Sequence, residues 1–167
     1  GMSDKQVQDE AMTLFGAGHE TTANTLTWTW YLLSQNPEAE AQLHAELDAV
    51  LAGRTPTFED LRQLPYTEQV IKEAMRIYPP AFTASRQSIA PVTVAGYDFP
   101  KNTLFMVNIW GMHRNPAWYD EPMAFKPERW ANDGEKHLPK YAYLPFGGGP
   151  RVCIGNSFAM MEAQLVL

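Results

Sequence analysis

The spacing of apolar and polar residues divides the chain into a helical first half and a second half without helical periodicity. No proline interrupts the chain before Pro37, and Ser3-Asp4-Lys5-Gln6 has the pattern of a capping box. These features predict one long helix that ends near Ser34. Asn36 and Pro37 have the order of an N-cap and a first-turn proline, which predicts a second helix directly afterwards.

The rest of the first half also has a helical pattern. The second helix carries an apolar stripe at helical spacing, formed by Leu43, Leu47, Val50 and Leu51. Gly53 is expected to close this helix. Thr57 is the predicted cap of a short helix over Phe58 to Leu64. Pro65 then begins a helix that Pro79-Pro80 stops.

The composition changes after Tyr78, because ten of the 13 prolines lie beyond it. Short strands suit this region better than helices. The predicted strands are Phe82 to Ser88, Val92 to Ala95 and Thr103 to Trp110. We expect a helical turn at Asn115-Pro116 and an irregular stretch from Ala131 to Pro145, before a last helix that starts at Asn156. The pattern predicts a mainly α member of the α+β class, with a small antiparallel sheet, in a single domain over residues 1–167.

Composition and charge exclude several classes of protein. Apolar residues make up 45% of the chain and charged residues 19%, as in an ordinary globular domain. A net charge of -6 without basic clusters argues against a nucleic-acid partner. No apolar run reaches the roughly 18 residues of a membrane span, so no membrane anchor is expected. A single cysteine excludes an internal disulfide framework, and we expect a cytoplasmic protein.

That cysteine lies in a glycine-rich loop, which is the strongest candidate for chemistry. We define the cysteine loop as Phe146 to Gly155; it contains three successive glycines, and Arg151 stands two residues before Cys153. Glycines let a flat ligand approach the backbone, and both a nearby arginine and a helix N-terminus favour a thiolate. Two alternatives stay open. A lone cysteine is often a small buried hydrophobe, and three glycines before a helix can form a phosphate-binding nest, although the Lys-Ser/Thr of a P-loop is absent.

The middle of the first helix has an unusual composition. Ala17-Gly18-His19-Glu20-Thr21-Thr22 combines small residues with adjacent threonines, which are poor choices for helix propensity. Threonine hydroxyls can bond the carbonyl one turn earlier, and small residues leave room for a ligand. The alternative is close packing against a neighbouring helix. We assign His19 no role.

The cysteine loop fills every fixed position of Phe-x-x-Gly-x-Arg-x-Cys-x-Gly, and so resembles the heme-binding signature of the cytochrome P-450 monooxygenases. The resemblance implies that Cys153 is the axial thiolate ligand of the heme iron and that Arg151 pairs with a heme propionate. Phe146 would lie against the sulfur side of the ring, with Gly147 and Gly155 also in the cofactor-binding loop. The implied cofactor is heme b.

Other segments resemble the same family. Thr21 would hydrogen-bond the dioxygen that heme binds, and Glu20 would help to relay protons. Arg86 matches a position that commonly meets a heme propionate. The resemblance also implies that Glu73, Arg76 and Arg129 form a buried structural triad. Trp130, which follows Arg129, stands where the family more often has phenylalanine. His113-Arg114-Asn115-Pro116 also resembles a family segment, with a structural part only.

The resemblance covers only the C-terminal part of a longer family member. It implies a C-terminal fragment of the cytochrome P-450 fold, from a parent that inserts one dioxygen atom into a small hydrophobic substrate. Electrons would come from an external ferredoxin or flavoprotein reductase. Because the helices that complete the heme pocket are absent, we expect this chain alone to be inactive, to hold heme weakly or not at all, and to self-associate. The rival is a non-catalytic, self-associating remnant without heme.

Overall fold

The structure is a computed structural model that describes residues 1–167. Its five α-helices are α1 (Asp4–Gln35), α2 (Pro37–Leu51), α3 (Pro65–Ile77), α4 (Ile109–Met112) and α5 (Asn156–Val166). Its four strands are β1 (Thr83–Gln87), β2 (Val92–Val94), β3 (Tyr97–Phe99) and β4 (Leu104–Asn108). Three 3₁₀ segments span Phe58–Gln63, Pro127–His137 and Gly149–Arg151. The predicted class, mainly α with small antiparallel sheets, is confirmed.

Helix α1 begins and ends close to its predicted bounds, and only its C-terminal half is packed. The predicted capping box is present, since the Ser3 side chain accepts from the Gln6 amide while the Gln6 side chain accepts from the Ser3 amide. Residues 1–17 are all exposed. The buried side chains start one turn later and are Thr22, Thr25, Leu26, Thr29, Leu32 and Leu33. The first half of this helix therefore extends beyond the core.

Asn36 is the N-cap residue of α2 and Pro37 its first residue, as predicted, but the Asn36 side chain makes no cap bond to α2. The Asn36 amide group donates to the Leu32 carbonyl of α1 at 2.7 Å, so this side chain closes the end of α1 and makes no cap bond to α2. At its other end, α2 is terminated by Ala52 in the left-handed conformation, followed by Gly53 with φ of 83°. Gly53 therefore lies one residue beyond the C-cap.

The strands form two separate two-stranded antiparallel sheets. β1 pairs with β4, which places Arg86 opposite Phe105, and β2 pairs with β3. Strand β3 was not predicted, because Ala95-Gly96-Tyr97-Asp98 has the pattern of a turn and two of these residues belong to the strand. The third predicted strand ends early, since the chain turns into α4 at Ile109. There the Asn108 side chain accepts a hydrogen bond from the Gly111 amide and caps the short helix.

The core is organised around α3, which contributes to all three buried apolar clusters. Val70 packs with Leu33 and Leu43, and Ile71 packs with Leu26 and Ala163. Ala74 and Ile77 form a third cluster with Leu32. Helices α1, α2 and α5 thus each pack one face against α3, which also carries Glu73 and Arg76.

The stretch predicted to be irregular from Ala131 to Pro145 contains some regular structure. A 3₁₀ segment runs from Pro127 to His137 and is broken by a kink in which Asn132 and Asp133 adopt left-handed conformations. Only the part after His137 matches the prediction. Asn115-Pro116 does begin a turn, because the Trp118 and Tyr119 amides both donate to the Asn115 carbonyl.

Candidate functional site

The cysteine loop folds without using the thiol of its cysteine. The Cys153 amide donates to the Phe146 carbonyl at 2.9 Å, the Val152 amide donates to the Gly149 carbonyl, and the Gly147 amide donates to the Leu144 carbonyl. The Cys153 side chain is exposed. The buried-hydrophobe alternative is therefore wrong. The phosphate-nest alternative is weakened, because the amide of Gly147, the first of the three glycines, donates to the Leu144 carbonyl.

The glycines leave open space on the surface of this loop. Gly147 and Gly149 both have φ of 71°, and a Cβ atom at either position would meet nothing within 4 Å. Gly148 is the packed member, since a Cβ there would approach Tyr141 to 2.9 Å. A free thiol beside open backbone, with exposed Val152 and Ile154, fits a broad apolar ligand that accepts a sulfur donor.

One end of the loop is anchored in the core and the other leads into α5. Phe146 is partly buried and packs against the cluster of Leu26, Ile71, Met75 and Ala163. After Cys153, the chain enters α5, whose Ala159 amide donates to the Gly155 carbonyl at 2.8 Å. The position of the loop thus depends on α1, α3 and α5 together.

Glu73 and Arg76 form a fully buried ion pair on α3. Arg76 Nε donates to Glu73 Oε2 at 2.9 Å, and Arg76 Nη2 donates to Glu73 Oε1 at 2.8 Å. The three remaining guanidinium hydrogens are donated to the carbonyls of His113, Pro122 and Ala124. All five donors of Arg76 are therefore used. The three-residue spacing of Glu73 and Arg76 alone would also allow an isolated surface salt bridge, and the burial of both side chains shows that this alternative is wrong.

Three more donors converge on Glu73 from the segment after Glu121. The Lys126 amide donates to Oε1 at 3.0 Å, Arg129 Nε donates to Oε1 at 3.4 Å, and Trp130 Nε1 donates to Oε2 at 2.9 Å. The structure thus brings the three residues of the predicted triad together. The sequence did not predict a role for Trp130. At this position the family pattern more often has phenylalanine, and the Trp130 indole supplies an additional hydrogen bond to Glu73.

His113 links the ion pair to the segment before the cysteine loop, and only its tertiary contacts reveal this. Its side chain is completely buried, and its Nε2 accepts a hydrogen bond from the Leu144 amide at 2.8 Å. The imidazole stacks on Tyr143, whose hydroxyl donates to the Lys72 carbonyl at 3.0 Å. Burial raises the pKa of Tyr143 well above its usual value. The tyrosine therefore stays neutral and can donate.

The unusual centre of α1 remains a continuous helix. Thr21 Oγ1 donates to the Ala17 carbonyl at 2.7 Å, as expected from threonine chemistry, and Glu20 and Thr21 are both exposed. Thr22 lies on the packed face with its Oγ1 buried and without a partner. The alternative of close helix packing therefore applies to Thr22 and does not apply to Glu20 or Thr21.

Two predicted cofactor-binding arginines are exposed and make no contact with the other predicted site residues. Arg86 lies on β1, as expected, and its guanidinium donates only to the adjacent Ser85 carbonyl at 2.7 Å. Arg151 is exposed and takes part in no side-chain hydrogen bond or ion pair. Both cations are therefore free to bind an anionic group.

Comparison with known proteins defines the class. The family model described as Cytochrome P450 matches residues 1–167. The chain is 45% identical over 166 residues to cyclooctatin synthase of Streptomyces melanosporofaciens, and 40% identical over 166 residues to pentalenene oxygenase of Streptomyces avermitilis. These alignments cover 99% of this chain in both cases. The chain therefore belongs to the cytochrome P450 family.

A solved structure gives the same result at the level of the fold. The crystal structure of the cytochrome P450DA heme domain superposes with a TM-score of 0.92 at 34% identity, covering 98% of this chain and 37% of that chain. The chain spans 36% of cyclooctatin synthase and 37% of pentalenene oxygenase, so it corresponds to about a third of such proteins. None of its helices combines the length and apolarity needed to cross a membrane.

Proposed function

We propose that this chain is the heme-binding part of a heme-thiolate monooxygenase, in which the thiolate of Cys153 would hold the heme iron. The observation that carries the proposal is the exposed Cys153 thiol in a loop whose own fold does not use it. Unpaired cysteines are among the most buried residues in proteins, so an exposed thiol beside open glycine backbone needs a binding partner to account for it. Heme iron is the partner that the family supplies.

The remaining loop residues suit the other parts of a heme. Arg151 and Arg86 would pair with its propionates, Phe146 would lie against the sulfur side of the ring, and Gly147 and Gly155 would keep the backbone close. When bound, heme would supply the activation of dioxygen, and a thiolate ligand favours cleavage of the O–O bond.

Glu20 and Thr21 would bind and transfer the protons that the reaction consumes. The carboxylate of Glu20 is exposed and can take up and release a proton. The proton of Thr21 Oγ1 is engaged with the Ala17 carbonyl, while its lone pairs remain available to accept a hydrogen bond. Rotation of this hydroxyl away from Ala17 would let it donate to a ligand.

The reaction of the parent protein would be the insertion of one dioxygen atom into a small hydrophobic organic molecule. Relatives are named as cyclooctatin synthase and pentalenene oxygenase, which supports an apolar substrate. Electrons would come from a separate ferredoxin or flavoprotein reductase. The single cysteine is consistent with a cytoplasmic setting, which stays a prediction.

Replacing the ligand tests this proposal. Heme is titrated into the wild-type chain and into Cys153→Ser, and the carbonyl spectrum of the reduced sample is recorded. Because this chain is expected to hold heme weakly at best, heme is added in excess, and any heme that binds should give the thiolate spectrum in the wild type and lose it in the variant. The exposed substitution Gln42→Ala on α2 is the control and should keep the spectrum. A thiolate spectrum that survives in Cys153→Ser would contradict the assignment.

We also propose that this chain self-associates, alone and without productive catalysis. Its accessible surface is 11053 Å², whereas a compact monomer of 18.8 kDa exposes about 8,300 Å². The excess of about 2,700 Å² is larger than the roughly 800 Å² that each partner buries in a standard interface. Large apolar residues contribute to it, including Leu14, Phe15, Trp30 and Phe158.

A further inference from the structure

We propose that His113 is a positioning residue for the cysteine loop. Its imidazole Nε2 accepts the amide hydrogen of Leu144, two residues before the loop begins at Phe146. The side chain thereby ties the entrance of the loop to the buried pair of Glu73 and Arg76. The role of the loop rests on the proposed function, whereas the hydrogen bond can be tested without heme.

The bond satisfies a main-chain group in a protected place. Leu144 N and His113 Nε2 are 2.8 Å apart, and the His113 side chain has no solvent exposure. A protected amide without an acceptor is strongly unfavourable, so the backbone at Leu144 has a clear preference for the conformation that reaches Nε2.

The same histidine is held from its other side by α3. The His113 carbonyl accepts from Arg76 Nη1 at 2.9 Å, and Arg76 is in turn bound to Glu73. Tyr143, the neighbour of Leu144, stacks on the imidazole at 5.2 Å between ring centres and donates its hydroxyl hydrogen to the Lys72 carbonyl. Two successive residues before the loop are thus fastened to α3, one of them through His113.

Only one protonation state of His113 allows this arrangement. Nε2 must be unprotonated to accept from Leu144, so the proton of the neutral ring is on Nδ1. Nδ1 is buried and has no hydrogen-bond partner, although the main chain at Arg76 and Met75 favours a proton on the ring and raises the pKa of His113. Both residues are near the C-terminal end of α3, where helix carbonyls lack partners within the helix.

The surroundings keep the ring neutral near pH 7. Burial lowers the pKa of His113 from 6.5 to about 4, and the positive charges of Arg76 on α3 and Arg114 on its own segment act in the same direction. The other titratable group against the ring is Tyr143, which is neutral. The acceptor is therefore present throughout the physiological range.

The hydrogen bond can be detected directly in the wild-type chain. In protein labelled with ¹⁵N, nuclear magnetic resonance measures the scalar coupling between Leu144 N and His113 Nε2 across the N–H···N bond, and the ring shifts identify the tautomer. We expect a resolved coupling and a proton on Nδ1. Absence of the coupling in folded protein, or a proton on Nε2, would overturn the inference.

Two variants separate the acceptor from the ring stacking. His113→Phe keeps an aromatic ring against Tyr143 without an acceptor, and His113→Gln restores an acceptor near the position of Nε2. We expect hydrogen exchange at the Leu144 amide to accelerate about tenfold or more in His113→Phe and to return close to the wild-type rate in His113→Gln, while α3 amides such as Ile71 stay unchanged.

His44→Gln, at an exposed position on α2, is the matched control. Equal exchange at Leu144 in the phenylalanine and glutamine variants would refute the positioning role. If His113→Phe does not fold, the coupling in the wild type decides. If the coupling is present but bound heme gives no thiolate spectrum, the proposed function fails and this inference stands.

Discussion

At the scale of single residues, the buried carboxylate of Glu73 depends on donors that come from distant parts of the chain. Its two oxygens accept from Arg76 on the same helix and from Lys126, Arg129 and Trp130, which lie more than fifty positions later in the chain. A charge without solvent exposure is tolerated only where such donors surround it. Removing any one of these donors should therefore lower the free energy of unfolding by a measurable amount.

Trp130→Phe tests the donor that distinguishes this chain from the usual family pattern. Loss of the indole N–H leaves one oxygen of Glu73 with fewer donors, and we expect unfolding free energy to fall by about 1.5–3 kcal/mol. Urea denaturation measures the change. Trp30→Phe, at a side chain that is 48% exposed, is the control and should alter stability by less than about 0.5 kcal/mol. Equal effects of the two substitutions would contradict a specific role for the indole.

His113 makes a second prediction at this scale, in the pH dependence of stability. The pKa of this histidine is about 4 in the folded chain and near 6.5 when it is free of burial. Between these values the unfolded chain holds more protons, so the contribution is fully present above pH 6.5 and is lost as pH falls toward 4. The free energy of unfolding should therefore fall by about 2 kcal/mol between about pH 7 and pH 5 through the titration of His113 alone.

Urea denaturation at the two pH values measures this loss. Other groups titrate in the same range, so the difference between the wild type and His113→Gln isolates the contribution of His113. We expect the variant to lose about 2 kcal/mol less stability than the wild type over this interval, whereas the exposed control His44→Gln should match the wild type. A glutamine variant with the wild-type pH dependence would show that His113 titrates normally.

At the scale of elements, the start of α3 is capped from another helix. The Glu46 carboxylate on α2 accepts from the Tyr66 amide at 2.7 Å, and from both the amide and the hydroxyl of Thr67 at 2.8 and 2.7 Å. Free amides and the positive end of the helix dipole both favour a carboxylate at this position. The cap fixes α3, on which Glu73 and Arg76 are placed.

Glu46→Ala removes this cap. We expect unfolding free energy to fall by about 1–2 kcal/mol, as for other N-caps, because two α3 amides and one hydroxyl lose their acceptor. Thermal or urea denaturation is the measurement. Gln42→Ala lies one turn earlier on the exposed face of α2 and should leave stability nearly unchanged. A loss of the same size in both variants would point to helix propensity and would rule out the cap as the cause.

At the scale of the whole molecule, the surface is too large for a compact monomer. Residues 4–17 of α1 are all exposed and include Leu14 and Phe15, each 67% exposed. An extended apolar surface of this kind drives association. A symmetric dimer, or a swap of α1 between two copies, would cover it.

Light scattering on the purified chain tests this expectation. We expect a mass of at least twice 18.8 kDa, because association removes apolar surface from water. Phe15→Glu should shift the sample toward the monomer, while Ile89→Glu, in the loop after β1, should not. A monomeric wild-type chain that carries one heme per molecule would contradict both self-association and the expected inactivity.

The sequence alone determined the local features of this protein. Capping residues and prolines act over a few positions, so the bounds of α1, α2 and α3 could be predicted within one or two residues. The cysteine loop could also be identified from the sequence, because all the fixed positions of its motif lie between Phe146 and Gly155. Strand β3 was missed because Tyr97 and Asp98 were assigned to the preceding turn, and α4 was missed because its four residues are too few to show a helical pattern.

Only the tertiary structure decided how these elements are joined. Apart from Glu73, the acceptors of Arg76 lie 37 to 48 positions away, and they are main-chain carbonyls, which every residue has and no sequence pattern marks. The same applies to the Leu144 amide that binds His113, and to the Trp130 indole that reaches Glu73 across 57 positions. Such bonds exist because packing around α3 removes water from these groups and leaves each donor one nearby acceptor.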